Sequence, residues 1–246
     1  MRRVIVLMLV AACCSSCAMS EASRKQASYH FQMGESYLRE QNVTAALVEF
    51  TEAEKIEPDN PELLNYLGLT YFRKGKLDIA EQKFLKALEL KPSFSEARNS
   101  LGVVYMETRR WDDAIAQLRL VNDDLFYQNQ EAARVNLGLA YLGKGENEKA
   151  LQLMHTAVIN FPRSPQVRLT LGRVYLAMDR IELAIEEFRK AIEIAKGYAG
   201  AHYYLGMALL KTKENDSARN AFREAVRLAP DTDVGRMARE QLDIIK

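Results

Sequence analysis

The feature that most constrains this chain is a recurrence. A glycine behind a large apolar residue returns six times, as Met33-Gly34, Leu67-Gly68, Leu101-Gly102, Leu137-Gly138, Leu171-Gly172 and Leu205-Gly206. Successive glycines are 34, 34, 36, 34 and 34 residues apart. Three residues on stands Tyr37, Tyr71, Tyr105, Tyr141, Tyr175 or, in the last copy, Leu209. Twelve residues beyond each glycine comes an alanine: Ala46, Ala80, Ala114, Ala150, Ala184 and Ala218. Four further are Phe50, Phe84, Leu118, Met154, Phe188 and Phe222, and three beyond those are Ala53, Ala87, Val121, Ala157, Ala191 and Ala225. A pattern copied at a fixed period folds as a stack of like units, each burying its apolar face on the next.

The residue types name the unit. Small residues let two antiparallel helices approach closely, and the large ones fill the space between neighbouring pairs. A glycine inside a helix costs about 1 kcal/mol in propensity, which close packing must offset. All six prolines, Pro58, Pro61, Pro92, Pro162, Pro165 and Pro230, fall between copies, where a helix stops and the next begins. Polar turns such as Lys74-Gly75-Lys76 and Lys144-Gly145-Glu146 divide each copy in two. This register and period resemble tetratricopeptide repeats. The resemblance implies an all-α, right-handed superhelical solenoid of six helix-turn-helix repeats plus a C-terminal capping helix. The repeats are placed at 27–60, 61–94, 95–128, 131–164, 165–198 and 199–232, and the cap at 233–246. In the cap, Met237, Leu242 and Ile245 are expected inward and Arg236, Arg239 and Lys246 outward.

The N-terminus is a separate object. Met1-Arg2-Arg3 is a positive leader, and Val4 to Ala12 is an apolar run of nine residues, too short for a bilayer that needs about 20. All three cysteines, Cys13, Cys14 and Cys17, follow it. A cysteine closing such a run behind small residues resembles the lipobox at which bacterial export cleaves and acylates. Cleavage before Cys17 makes residues 1–16 the signal peptide, makes Cys17 the lipidated residue and leaves no spare thiol. Cys13, in Val10-Ala11-Ala12-Cys13, is the alternative, and a plain secretion signal without lipid is the other. Residues 17–26 read as a tether. Ala18 lacks the Asp of an inner-membrane retention signal, so the lipoprotein resemblance implies the periplasmic face of the outer membrane.

Composition closes off several functions. With 34 Lys+Arg against 33 Asp+Glu, the chain has no net field for a nucleic-acid backbone. His30, His155 and His202 lack the i, i+4 spacing of a metal-binding pair, and packing accounts for them better. Glu186-Glu187 and Asp112-Asp113 are expected on solvated helix faces, and Asn42 reads as a turn and N-cap. Trp111, the only tryptophan, opens a second helix where packing and exposure are both open. No phosphate-binding loop or nucleophile elbow is present. The expectation is a non-enzyme without cofactor, metal or small-molecule substrate.

The expected partner is a protein. In the first helix of each repeat, about 100° per residue puts positions 4, 7, 8 and 11 on one face and positions 5, 9 and 12 on another. That second face is apolar: Leu69 and Phe72, Val103 and Met106, Leu139 and Leu142, Leu169 and Leu176, then Tyr203, Met207 and Leu210. Asn65 and Asn99, at position 5, are placed to hydrogen-bond an extended peptide. The expectation is an exposed apolar groove that receives a partner. The alternative is that these side chains fill the tight inner curvature of a small solenoid. Carboxylate-clamp repeats carry Lys and Asn at positions 5 and 9, and Asn65/Leu69 and Asn99/Val103 depart from that.

The junction after the third repeat has two extra residues and no proline. It reads Asn122-Asp123-Asp124-Leu125-Phe126-Tyr127, followed by Asn136-Leu137-Gly138-Leu139. In a six-repeat lipoprotein of this length, that run resembles the type IV pilus pilotins of the PilF/PilW and Tgl kind. Their Asn-x-Tyr-Gly-like run in repeat three stands here as Asn99-Ser100-Leu101-Gly102. The resemblance implies a membrane-tethered scaffold whose groove takes a segment of an outer-membrane secretin and promotes its assembly. The competing readings are a general periplasmic adaptor and an accessory envelope enzyme.

Overall fold

The computed structural model describes residues 20–245. Signal residues 1–16, Cys13, Cys17 and Lys246 lie outside the described residues. Thirteen α-helices and no strand occur among those described: α1 Glu21–Arg39, α2 Val43–Ile56, α3 Pro61–Arg73, α4 Leu77–Leu90, α5 Ser95–Glu107, α6 Trp111–Asn122 and α7 Gln130–Lys144. They continue with α8 Asn147–Asn160, α9 Pro165–Ala177, α10 Ile181–Ile194, α11 Ala199–Lys211, α12 Asn215–Leu228 and α13 Asp233–Ile244. The chain divides into two compact units, one ending at Leu101 and the other running from Gly102.

The glycine–aromatic pattern marks where each pair closes. A methyl group added at Gly34 would lie 2.5 Å from the Phe50 ring, at Gly68 2.5 Å from Phe84, and at Gly172 2.4 Å from Phe188. Gly102 meets Leu118, Gly138 meets Met154 and Gly206 meets Phe222 in the same way. The ring or chain sixteen residues on therefore occupies the volume that glycine vacates. These large side chains and the matching alanines are fully buried. Each large one contributes about 1.5–3 kcal/mol by leaving water.

Between paired helices the chain turns identically six times. Gln41, Gly75, Arg109, Gly145, Asp179 and Lys213 all adopt positive φ, between 57° and 84°. The next amide then donates back to the first helix: Asn42 to Tyr37, Lys76 to Tyr71, Arg110 to Tyr105, Glu146 to Tyr141, Arg180 to Tyr175 and Glu214 to Leu209. This left-handed cap satisfies carbonyls that a helix end leaves orphaned. Only two of the six positions are glycine.

Between repeats, side chains do the capping. Asn60, Asn129 and Ser164 accept from Leu63, Ala132 and Val167 amides at the starts of α3, α7 and α9, and Pro61 and Pro165 occupy first turns. Asn42 caps α2 through the Ala45 amide. Residues 21–26, expected to belong to a tether, are helical. Ser20 caps α1 by accepting from the Ser23 amide, Glu21 suits the positive helix end, and it pairs with Lys25 at 2.6 Å. In the second unit α13 closes the stack, with Val234, Met237, Leu242 and Ile245 against the cluster around Phe222 and with Arg236 and Arg239 exposed. No helix among the described residues is long and apolar enough to cross a membrane.

Candidate functional site

The face predicted from positions 5, 9 and 12 exists, but it is drier than a groove open to solvent. In the first unit Asn65 is 7% exposed, and its Oδ1 has no hydrogen-bond partner. Leu69, Phe72 and Asn99 are partly buried. In the second unit Val103, Met106, Leu139, Leu142, Leu176 and Met207 are partly buried, and Leu169 and Tyr203 are buried. Leu142 packs against the cluster of Met154 and Val174, while Leu169, Leu176, Tyr203 and Met207 join the core around Phe222. Asn65, Leu169 and Tyr203 are therefore buried rather than exposed, while the others keep part of their surface. First helices of successive repeats touch, α7 to α9 to α11, and Leu169 reaches the start of α11 at Gly200.

Two cavities adjoin this face among the described residues. In the first unit a cavity of about 760 Å³ is lined by Leu38, Val43, Tyr66 and Leu69, with Glu35, Arg39, Gln41 and Arg73 around them. Burial, and then a hydrogen bond to Glu35, pushes the Tyr66 hydroxyl up to about 12. Arg73 Nη1 donates to the Leu38 carbonyl at 3.3 Å. In the second unit a cavity of about 270 Å³ is lined by Ala132, Val135, Leu139, Leu169 and Tyr198, with Asn136, Gln166, Thr170 and Arg173. Arg173 lies over the Tyr204 ring at 4.8 Å, and burial raises the Tyr198 hydroxyl. Of the predicted groove residues, the structure brings Leu69 into the first cavity and Leu139 and Leu169 into the second. The other ten line neither.

The charged members were not predicted. Arg39 and Arg73 both end a first helix, at equivalent places one repeat apart, and that periodicity was the available signal. Arg173 holds position 9 of its repeat, where the apolar pattern of the other copies gives no signal for a charge.

Polar groups elsewhere have structural partners. His30 Nδ1 lies 2.7 Å from Glu49, His155 Nε2 2.9 Å from the Tyr175 hydroxyl, and His202 Nε2 3.0 Å from the Lys196 carbonyl. Glu186 is solvated as expected, but its neighbour Glu187 is not: it is 7% exposed, between Arg168 at 3.0 Å and Lys190 at 2.9 Å. The Trp111 ring packs where Gly143 has no side chain, within 2.4 Å of an added methyl. No group of three His, Cys, Asp or Glu among the described residues is arranged to hold a metal ion. An apolar floor edged by hydrogen-bonding groups is suited to holding a peptide.

Comparison with known families agrees. Tetratricopeptide repeat models match residues 34–75, 68–108, 135–199 and 169–232. The chain is a tetratricopeptide repeat protein. Its repeats are of the all-α solenoid class, a scaffold for protein interaction. Among solved structures it resembles PilF of Pseudomonas aeruginosa, with a TM-score of 0.69 and 18% identity over 90% of this chain and 100% of that one. It also resembles PilW, a type IV pilus biogenesis factor, with a TM-score of 0.75 and 18% identity over 89% and 98%. By sequence, DnaJ homolog subfamily C member 3 of Bos taurus is 28% identical over 130 residues, 50% of this chain. The chain spans only about a quarter of that relative's length, 26%.

Proposed function

We propose that this tetratricopeptide repeat protein is a pilotin: a scaffold held by a lipid on Cys17 at the periplasmic face of the outer membrane. There it binds a segment of a secretin subunit and promotes secretin localisation and multimer assembly in type IV pilus biogenesis. The observation that carries the reading is the end-to-end likeness to PilF, 90% of this chain against 100% of that one. The likeness to PilW, described as a type IV pilus biogenesis factor, supports it. So does the N-terminal sequence, in which Cys17 closes a signal-like segment behind Ser15-Ser16.

Each cavity, within its own unit, suggests how an apolar side chain of a partner segment is held. Leu69 in one, and Leu139 and Leu169 in the other, offer apolar floors. Asn65 Oδ1, buried without a partner, is suited to accept a peptide N–H once the side chains above it part. Binding is then main-chain hydrogen bonding with alternate side chains in sockets.

The test is the affinity of the purified full chain for its secretin, measured by titration calorimetry. Leu69→Glu and Leu139→Glu should each weaken binding about tenfold or more, roughly 1.4 kcal/mol. Leu183→Glu, on an exposed face of α10, should not. No binding by the wild type, or equal loss in all three variants, overturns the reading.

A further inference from the structure

The most exposed large apolar side chains among the described residues are adjacent. Leu125 is 88% exposed and Phe126 93%, in the loop between α6 and α7. A floppy loop would be free to fold such a pair back against the protein; this one is braced to present it. The Asp124 carboxylate accepts from the Phe126 amide at 3.0 Å, and the Asp124 amide donates to the Val121 carbonyl. Behind the pair, the Tyr127 amide donates to the Asp124 carbonyl, and the Tyr127 ring is buried with Val121 and Ala133. Gln130 reaches the same Asp124 carbonyl. The result is a hydrogen-bonded knuckle, Leu-Phe at its tip and Asp123 exposed at its base.

A complementary socket lies in the other unit. The cavity beside α1, α2 and α3 has an apolar floor of Leu38, Val43, Tyr66 and Leu69. At its edge stand Arg39 and Arg73, both exposed, against a single carboxylate, Glu35, which the Tyr66 hydroxyl engages. Among the described residues Arg39 makes no hydrogen bond or ion pair. The rim therefore carries net positive charge over an apolar floor, the reverse of the knuckle's acidic base and apolar tip. The second unit has another apolar hollow, with Ile192, Leu205 and Leu209. There Glu193 and Glu224 stand against Arg189 and Lys196, so it offers an acidic knuckle no net attraction.

We propose that the Asp123-Asp124-Leu125-Phe126 knuckle of one molecule docks into the α1–α3 socket of a second copy of this chain. Leu125 and Phe126 enter the apolar floor, and Asp123 faces Arg39 and Arg73. Knuckle and socket are different surfaces, so the contact is heterologous: each molecule keeps a free knuckle and a free socket, and association grows into a chain or closes into a ring. This goes beyond the secretin reading and does not depend on it, but both use the α1–α3 cavity, so a bound secretin segment and a second copy would compete for it.

Sedimentation velocity of the full chain, in one mild detergent buffer throughout, tests it. The wild type should show concentration-dependent association beyond a dimer, and an L125S/F126S variant and an R39E/R73E variant should each be monomeric. Mixing the two variants decides the matter, because one retains only a socket and the other only a knuckle. The mixture should form a one-to-one dimer that grows no further, which also shows both variants to be folded. A wild type that stays monomeric, a mixture that stays monomeric, or association that survives either variant overturns the proposal.

Discussion

Replacing the repeat glycines by alanine, one at a time, separates two opposing effects. Alanine gains about 1 kcal/mol of helix propensity over glycine at each site. Against this stands the space the methyl needs. At Gly172 it would lie 2.4 Å and 2.6 Å from two carbons of the Phe188 ring and 3.0 Å from a third. That ring is fully buried and stacked on Tyr204, with 5.9 Å between centroids, so α9 and α10 must separate to admit it. Overpacking of this kind costs about 1–3 kcal/mol, and a contact this short against a rigid ring belongs at or above the top of that range. The net expectation for Gly172→Ala is a loss of about 2 kcal/mol or more, or roughly 4–8 °C or more in Tm. At Gly138 the neighbour is the end of Met154, with Cε at 2.8 Å and Sδ at 3.2 Å, and a flexible thioether moves aside. Gly138→Ala should therefore sit within about 0.5 kcal/mol of wild type, with the propensity gain offsetting the crowding. Gly197→Ala, with nothing within 4 Å, is the control and should be neutral or slightly stabilising. Urea unfolding followed by circular dichroism gives the midpoints. Equal losses at Gly172 and Gly138, or no loss at Gly172, would refute the reasoning.

The left-handed turn makes the opposite prediction for glycine: Lys213→Gly, at φ 64°, should stabilise by about 1 kcal/mol, and Gly75→Ala, at φ 70°, should destabilise by about as much, in the same urea assay. Glu187→Ala strands half-buried Arg168 and should cost about 1–3 kcal/mol, whereas exposed Glu186→Ala should stay within about 0.5; similar values for the two would contradict the pairing with Arg168. Tyr66, raised from 10.0 to about 12, holds its proton more tightly folded than unfolded. Its contribution is complete below pH 10 and is lost as pH rises through about 12, so Tyr66→Phe should flatten the alkaline loss of stability over that window, read from Tm against pH.

The sequence told most about the repeat interior because period and packing have the same cause. Gly172 and Phe188 are sixteen residues apart in every copy's register, and one fills the space the other leaves. The shared turn was harder to see, since Gln41, Arg109, Asp179 and Lys213 adopt a left-handed conformation without the glycine that announces it. Periodicity places Glu187 on the second helix but does not tell a solvated face from one that folds back onto Arg168. The groove face poses a related difficulty. A face that is apolar at positions 5, 9 and 12 identifies contact: Leu169 reaches the start of α11 at Gly200, and Tyr203 lies against the Phe222 ring of α12. Arg39 and Arg73 were legible in principle, as one charge repeated at one register, but only the fold turns that repetition into the rim of a cavity. The helix from Glu21 extended ahead of the repeat pattern because a cap at Ser20 needs no periodicity.

The most direct test of the central claim is the oligomeric state of the type IV pilus secretin in outer membranes of a deletion strain. The strain is complemented with wild type or with Leu69→Glu combined with Leu139→Glu, and the variant's fold is confirmed by circular dichroism. The pilotin reading predicts that secretin multimers vanish on deletion, return with the wild type and stay absent with the folded variant. Multimers that persist in the deletion strain would contradict it and leave a general envelope adaptor as the better description.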